Sequence, residues 1–132
     1  KGSGCVSWSS KTQTSVALST AESEVCAATA ASQECVHLYG ILSDMGIDQT
    51  VPLTIFVDNQ ACIAMSKNPV QHGKTKHFSI KLHFIRELCQ KQFLVLEYLS
   101  TDKMPADILT KCLGKLKTGA FCNFIMGKLE TD

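Results

Sequence analysis

An α/β fold with a mostly parallel sheet is predicted by three features of this 132-residue chain. Segments of β-type pattern alternate with segments of helical period, in the order strand, helix, strand, two helices, strand, helix. The run Leu53–Val57, Leu-Thr-Ile-Phe-Val, is apolar on both faces, as a strand buried in a parallel sheet is. The composition, 45% hydrophobic and 19% charged, supplies enough apolar surface for one packed core.

Each element has its own local signal. Cys5–Lys11 reads as a strand because Val6 and Trp8 alternate with Ser7 and Ser9. Lys11 to Ser19 is polar and reads as the strand's end and a connection. Ser19 and Glu22 have capping-box spacing, which opens a helix running to about Ser43, with Gly46 as its stop. After the Leu53–Val57 strand, helical spacing resumes from Asp58 to Lys67 and breaks at Asn68-Pro69. Ser79 to Lys91 is amphipathic, with Phe78, Leu82, Ile85 and Cys89 on one side. Phe93 to Leu99 is another strand and Ser100 to Met104 a loop. Pro105 sits in the first turn of a helix through Ile108 and Leu109, where proline is tolerated. Gly114 interrupts, and Lys115 to Leu129 forms a last, weaker helix.

Charge and cysteine usage narrow the function. A net charge of +1 excludes a wholly basic nucleic-acid binder but leaves room for a local basic patch. Seven cysteines are an odd count, and no two form a C-x-x-C pair. They predict a reducing compartment without a disulfide framework. The sequence shows no secretory leader and no apolar run long enough to span a membrane. It opens Lys-Gly-Ser-Gly rather than with Met, as a piece of something longer would.

Three acids hold positions where chemistry could sit. Glu24, Ala28, Ala31, Cys35, Leu38 and Leu42 recur at steps of four and three, so the spacing places Glu24 on an otherwise apolar stripe near the helix start. An ionised carboxylate on that side needs a partner or a metal. A dipole-complementing acid at a partly exposed edge fits the same position. Asp58 ends the buried strand, and sites in open α/β sheets lie at the carboxyl ends of strands; a helix N-cap is the structural alternative. Asp107 follows Pro105 in a helix's first turns, where an acid also complements the dipole. Brought together, such carboxylates suit magnesium, which takes oxygen ligands. Two such ions can hold the attacking water and the leaving oxygen of a phosphodiester.

Between Asp58 and Glu87 there is no acidic residue, while Lys67, Lys74, Lys76, Lys81, Arg86, His72, His77 and His83 fall in that span. The stretch could neutralise phosphates or form a solvated face. The histidine spacing, without a thiol pair, argues against structural zinc.

The motifs themselves resemble a known pattern. Val6-Ser7-Trp8-Ser9-Ser10-Lys11 followed by Leu18-Ser19-Thr20-Ala21-Glu22-Ser23-Glu24 is similar to "I-S-W-S-S-K … L-S-S-T-E-A-E-Y" of copia-type retrotransposon ribonuclease H domains. Phe56-Val57-Asp58-Asn59-Gln60 resembles "x-C-D-N-Q". Lys67-Asn68-Pro69-Val70, Thr75-Lys76-His77 and His83-Phe84-Ile85-Arg86-Glu87 resemble "K-N-P … R-T-K-H-I-D-I-R-Y-H-F-I-R-E". Ala106-Asp107-Ile108-Leu109-Thr110-Lys111 resembles "A-D-I-L-T-K".

The resemblance implies a ribonuclease H-like mixed sheet with flanking helices over residues 1–113, followed by a helical extension at 114–132. It implies hydrolysis of the RNA strand of an RNA–DNA hybrid with two Mg2+ or Mn2+ ions. Glu24, Asp58 and Asp107 would be catalytic and bind metal. Asn59, Gln60, Lys74, Lys76, His77 and Arg86 would contact nucleic acid. The upstream reverse transcriptase of the same polyprotein would be a partner. The setting would be a cytoplasmic virus-like particle or the nucleus, with no membrane and no secretion. The family's first acid lies on an "S-D-A-D-W-A" strand upstream of Lys1, so this chain is expected to lack the first two strands and to be inactive as an isolated fragment. Phe78-Ser79 replaces the family's aspartate after His77, and Cys112 stands where proline is common. A non-catalytic nucleic-acid-binding remnant, or a transposon fragment without function, is the alternative.

Overall fold

The structure is a computed structural model that describes residues 4–11, 19–68 and 76–128. These gather into two compact units, one drawn from Ser15–Ser100 and the other from Lys1–Thr14 with Thr101–Asp132.

The first unit holds α1 (Thr20–Asp44), β1 (Leu53–Val57), α2 (Gln60–Lys67), α3 (Lys76–Gln90) and β2 (Leu94–Tyr98). β1 and β2 pair in parallel, Leu53 opposite Leu94 and Val57 opposite Tyr98. The sheet's inner face, Ile55, Val57, Leu94 and Leu96, joins Val25, Ala28, Cys62, Phe78, Leu82 and Ile85 in one apolar cluster. The outer face carries Thr54, Phe56 and Glu97, all exposed. The apolar run of β1 therefore meets helices on one side only.

α1 begins where expected. Ser19 Oγ accepts the Glu22 amide at 3.2 Å, the first half of a capping box. It ends in a Schellman motif: Gly46 adopts φ +70° and donates to Ser43, while Ile47 donates to Leu42. A left-handed φ at this position favours glycine. The buried stripe is displaced from the predicted one. Val25, Ala28, Thr29 and Ser32 are buried, whereas Ala31 is exposed. The displacement has a physical cause: Thr29 and Ser32 donate their hydroxyls to the carbonyls one turn back, at 2.7 Å each. A hydroxyl satisfied within its own helix is buried at little cost. Such short side chains suit a face packed against a neighbouring helix, and α1 packs against α3.

α3 starts at Lys76 rather than Ser79, and its predicted stripe is buried at Phe78, Leu82 and Ile85. Arg86 binds across to α2: Nε and Nη2 donate to the Met65 carbonyl at 3.1 and 2.7 Å, and Nη2 also to that of Asn68. The guanidinium thus caps the last turn of α2, where carbonyls lack helical partners. At the far end of α1, Tyr39 meets Phe93 edge-on, with ring centroids 5.0 Å apart.

In the second unit, Cys5–Lys11 is not a strand: it lacks a ladder partner among the described residues, and Val6 and Trp8 are 81% and 71% exposed. Alternation alone does not make a strand without a ladder to pair with; the Cys5 amide donates to the Ile125 carbonyl. Pro105–Leu109 is a 3-10 helix rather than an α-helix, and α4 spans Lys115–Ile125. α4 closes with its own Schellman motif, in which Gly127 at φ +64° donates to Phe124 and Lys128 to Asn123. Asp102 pairs with Lys117 at 3.2 Å. The extension expected from residue 114 is thus tied by contacts to the residues from Thr101 on. Lys74, most of the Lys11–Ser19 connection and the expected end of the last helix at Leu129 lie outside the described residues.

Candidate active site

Asp58 directly follows β1 and is half-buried at the carboxyl end of a parallel strand. Its structural alternative, capping α2, falls to its neighbour. Asn59 has extended backbone, and its Oδ1 accepts the Ala61 amide at 2.9 Å. The cap is therefore supplied without Asp58, while Asn59, expected at nucleic acid, has its carbonyl oxygen engaged by the helix. Gln60, the first residue of α2, is exposed.

Glu24 is half-buried in the first turns of α1, at the edge of the buried stripe rather than at its centre. Cys62, in the first turn of α2, is fully buried. Burial pushes the Cys62 thiol up to about 11, and the negative charge of Glu24 adds to that rise. Glu24 and Asp58 both lie in the Ser15–Ser100 unit, Glu24 in the first turns of α1 and Asp58 just before α2.

Asp107, in the other unit, is 7% exposed. Its Oδ1 pairs with Lys111 Nζ at 2.8 Å, and its Oδ2 is buried without a hydrogen-bond partner among the described residues. Within neither unit do three described His, Cys, Asp or Glu side chains group closely enough to hold a metal ion.

Of the expected nucleic-acid contacts, Lys76 and His77 are exposed on the first turn of α3. Arg86 is half-buried and spends its donors on α2.

Comparison with known proteins adds an independent finding. The chain is similar to the retrovirus-related Pol polyprotein from transposon TNT 1-94 of Nicotiana tabacum, 40% identical over 114 residues, which is 86% of this chain and 8% of that protein. It is 38% identical over 119 residues to the Pol polyprotein from transposon RE1 of Arabidopsis thaliana, and 36% identical over 119 residues to that from RE2, in each case 90% of this chain and 8% of the relative. This chain is homologous to a segment of retrotransposon Pol polyproteins. It spans about a twelfth of the relatives' length, 8% of each. No family model matches the chain, and no solved structure does. Among the described residues no helix is long and apolar enough to cross a membrane.

Three features of this Pol-homologous segment escaped sequence analysis. Cys62 was one more apolar position until the fold buried it completely. Arg86 was a basic residue among others, and its capping role depends on a contact across 21 residues of sequence. Lys81 Nζ lies 3.1 Å from Cys26 Sγ, joining α3 to α1 across 55 residues. Lys111 was legible in principle, since a lysine four residues after an acid is the ordinary spacing of an i,i+4 pair.

Proposed function

We propose that this segment is the ribonuclease H part of a retrotransposon Pol polyprotein, cleaving the RNA strand of an RNA–DNA hybrid. The observation that carries the proposal is Asp58. It is an acid at the carboxyl end of a parallel strand, with the cap of the adjoining helix supplied by Asn59. The Pol homology supports the polyprotein setting, and the ordered motifs support the activity.

The donor chemistry fits magnesium or manganese. Glu24, Asp58 and Asp107 offer only hard oxygens, and the buried, unpartnered Oδ2 of Asp107 is an acceptor that a cation would satisfy. Divalent ions held there would supply activation of the attacking water and charge neutralisation at the scissile phosphate. By their motifs, Glu24, Asp58 and Asp107 would be the residues to hold such ions. Lys76 and His77, exposed on the first turn of α3, meet backbone phosphates of the hybrid, and Lys74 is assigned the same task by its motif. The reverse transcriptase of the same polyprotein delivers the hybrid, within a cytoplasmic virus-like particle or the nucleus.

The resembling family draws a further acid from an S-D-A-D-W-A strand. The test therefore uses this chain fused to such a strand, with a labelled hybrid and Mg2+. Cleavage is expected, and Asp58→Asn is expected to lower it by about a hundredfold or more, at least the loss seen when a metal site's supporting groups are removed. Cleavage that survives Asp58→Asn would overturn the proposal. Salt-dependent hybrid binding without cleavage would leave a binding module in its place.

A further inference from the structure

The four cysteines of the Ser15–Ser100 unit are all free, and they sit in two kinds of surroundings. Burial pushes the thiols of Cys35, Cys62 and Cys89 up, that of Cys62 to about 11. Little of each is then thiolate, the form that reacts with oxidants. Cys26 is placed differently. It is half-buried near the start of α1, and Lys81 Nζ of α3 lies 3.1 Å from its Sγ. Helix packing fixes this contact. Val25, next to Cys26, is fully buried, and Leu82, next to Lys81, is nearly so; both belong to the apolar cluster. Cys26 and Lys81 thus stand at the rim of the α1–α3 packing, each one residue from the core. Neither is fully covered, so a small oxidant can reach the sulfur.

We propose that Cys26 and Lys81 form an oxidative modification site, at which hydrogen peroxide drives a reversible sulfur–nitrogen bond between α1 and α3. Peroxide first oxidises the Cys26 thiol to a sulfenic acid. An S–O bond forms, the O–O bond breaks, sulfur gives up two electrons, and the second peroxide oxygen leaves as water. The Lys81 ammonium, already beside the sulfur, holds the sulfenate oxygen by a charge-assisted hydrogen bond and passes it a proton. The amine lone pair then attacks sulfur. The S–O bond breaks, and the oxygen leaves as water with a second proton from the nitrogen. The product is a sulfenamide, a bond that sulfenic acids form with a nearby nitrogen. Thiol, amine and one peroxide give the link and two waters. Two equivalents of an external thiol reverse it, restoring Cys26 and Lys81 and becoming a disulfide. The group held against Cys26 is an amine, so capture needs no second cysteine. The site is independent of the nuclease reading, in which neither residue holds metal or nucleic acid.

The test treats the folded 132-residue chain with hydrogen peroxide, digests it without reductant and maps the peptides by mass spectrometry. A linked pair of peptides containing Cys26 and Lys81 is expected, two hydrogens lighter than the sum of its parts and separated by dithiothreitol. Lys81→Met is expected to lose the link and to leave a Cys26 sulfenic acid that dimedone labels. Peroxide added in urea is expected to give little of the link, because the fold supplies the proximity. Oxidation of Cys26 to sulfinic acid in the folded parent, with no link to Lys81, would overturn the proposal. So would a Cys26 that resists peroxide while the exposed Cys5, Cys112 and Cys122 are oxidised, or a link that forms equally well in urea.

Discussion

Cys62 shows how one residue joins the fold to the site. Its side chain is fully buried beneath α1, and its thiol is pushed up to about 11 by burial and by Glu24. The fold thus favours the neutral thiol over the thiolate. The unfolded thiol ionises near 9.0, so the stabilisation from this group is complete below that pH and is lost as the pH rises toward 11. Urea unfolding at intervals between pH 8 and 11 should show stability falling through that window, and falling less steeply for Cys62→Ala. An identical slope in the variant would show that the thiol's surroundings differ from those described. Asp58 and Asn59 teach a related lesson: either could cap a helix by type, and only backbone geometry decided that Asn59 does.

At the scale of elements, α2 is the least self-sufficient. It has eight residues, too few to be stable alone, and its two ends are fastened differently. Asn59 secures the start, and Arg86 of α3 secures the end. Hydrogen bonds to a charged group are worth more than neutral ones, so Arg86→Ala is expected to cost about 1–2 kcal/mol, after allowance for partial exposure. Thermal melting should show this as a lowered midpoint. Lys91→Ala, which removes an exposed ion pair with Glu87 at 2.6 Å, should leave the midpoint where it was. Equal effects of the two substitutions would refute the clamp. The start of α2 was legible in its residue types, whereas the clamp was not, because it depends on how α2 and α3 pack. The displaced stripe of α1 has the same origin: hydropathy ranks Thr29 and Ser32 as outward-facing, but an i−4 hydrogen bond removes the reason to expose them.

Over the whole molecule, burial is unevenly shared. Every residue of the apolar cluster belongs to the Ser15–Ser100 unit, and Asp107 is the one buried residue among those described in the other. α4 leaves Leu116 and Phe124 91% and 67% exposed. Segments with few buried apolar contacts open at low free energy. Hydrogen exchange should therefore protect the amides of β1, β2 and α3 most strongly, while those of α4 exchange early. Protection of α4 equal to that of β2 would contradict this division.

The sequence by itself determined which segments become helices and strands wherever the signal is local. Capping residues, glycines with left-handed backbone, the apolar run of β1 and the stripe of α3 each carry their instruction within a few residues. It also determined, through ordered motifs, which family of polyproteins to compare. Tertiary structure alone decided what depends on a partner far along the chain. Cys5–Lys11 has the alternation of a strand but no ladder partner among the described residues. The cap of α2 fell to Asn59 rather than Asp58, and one oxygen of Asp107 was buried without a hydrogen bond among the described residues. Periodicity records which side of an element is apolar; it does not record what that side will meet.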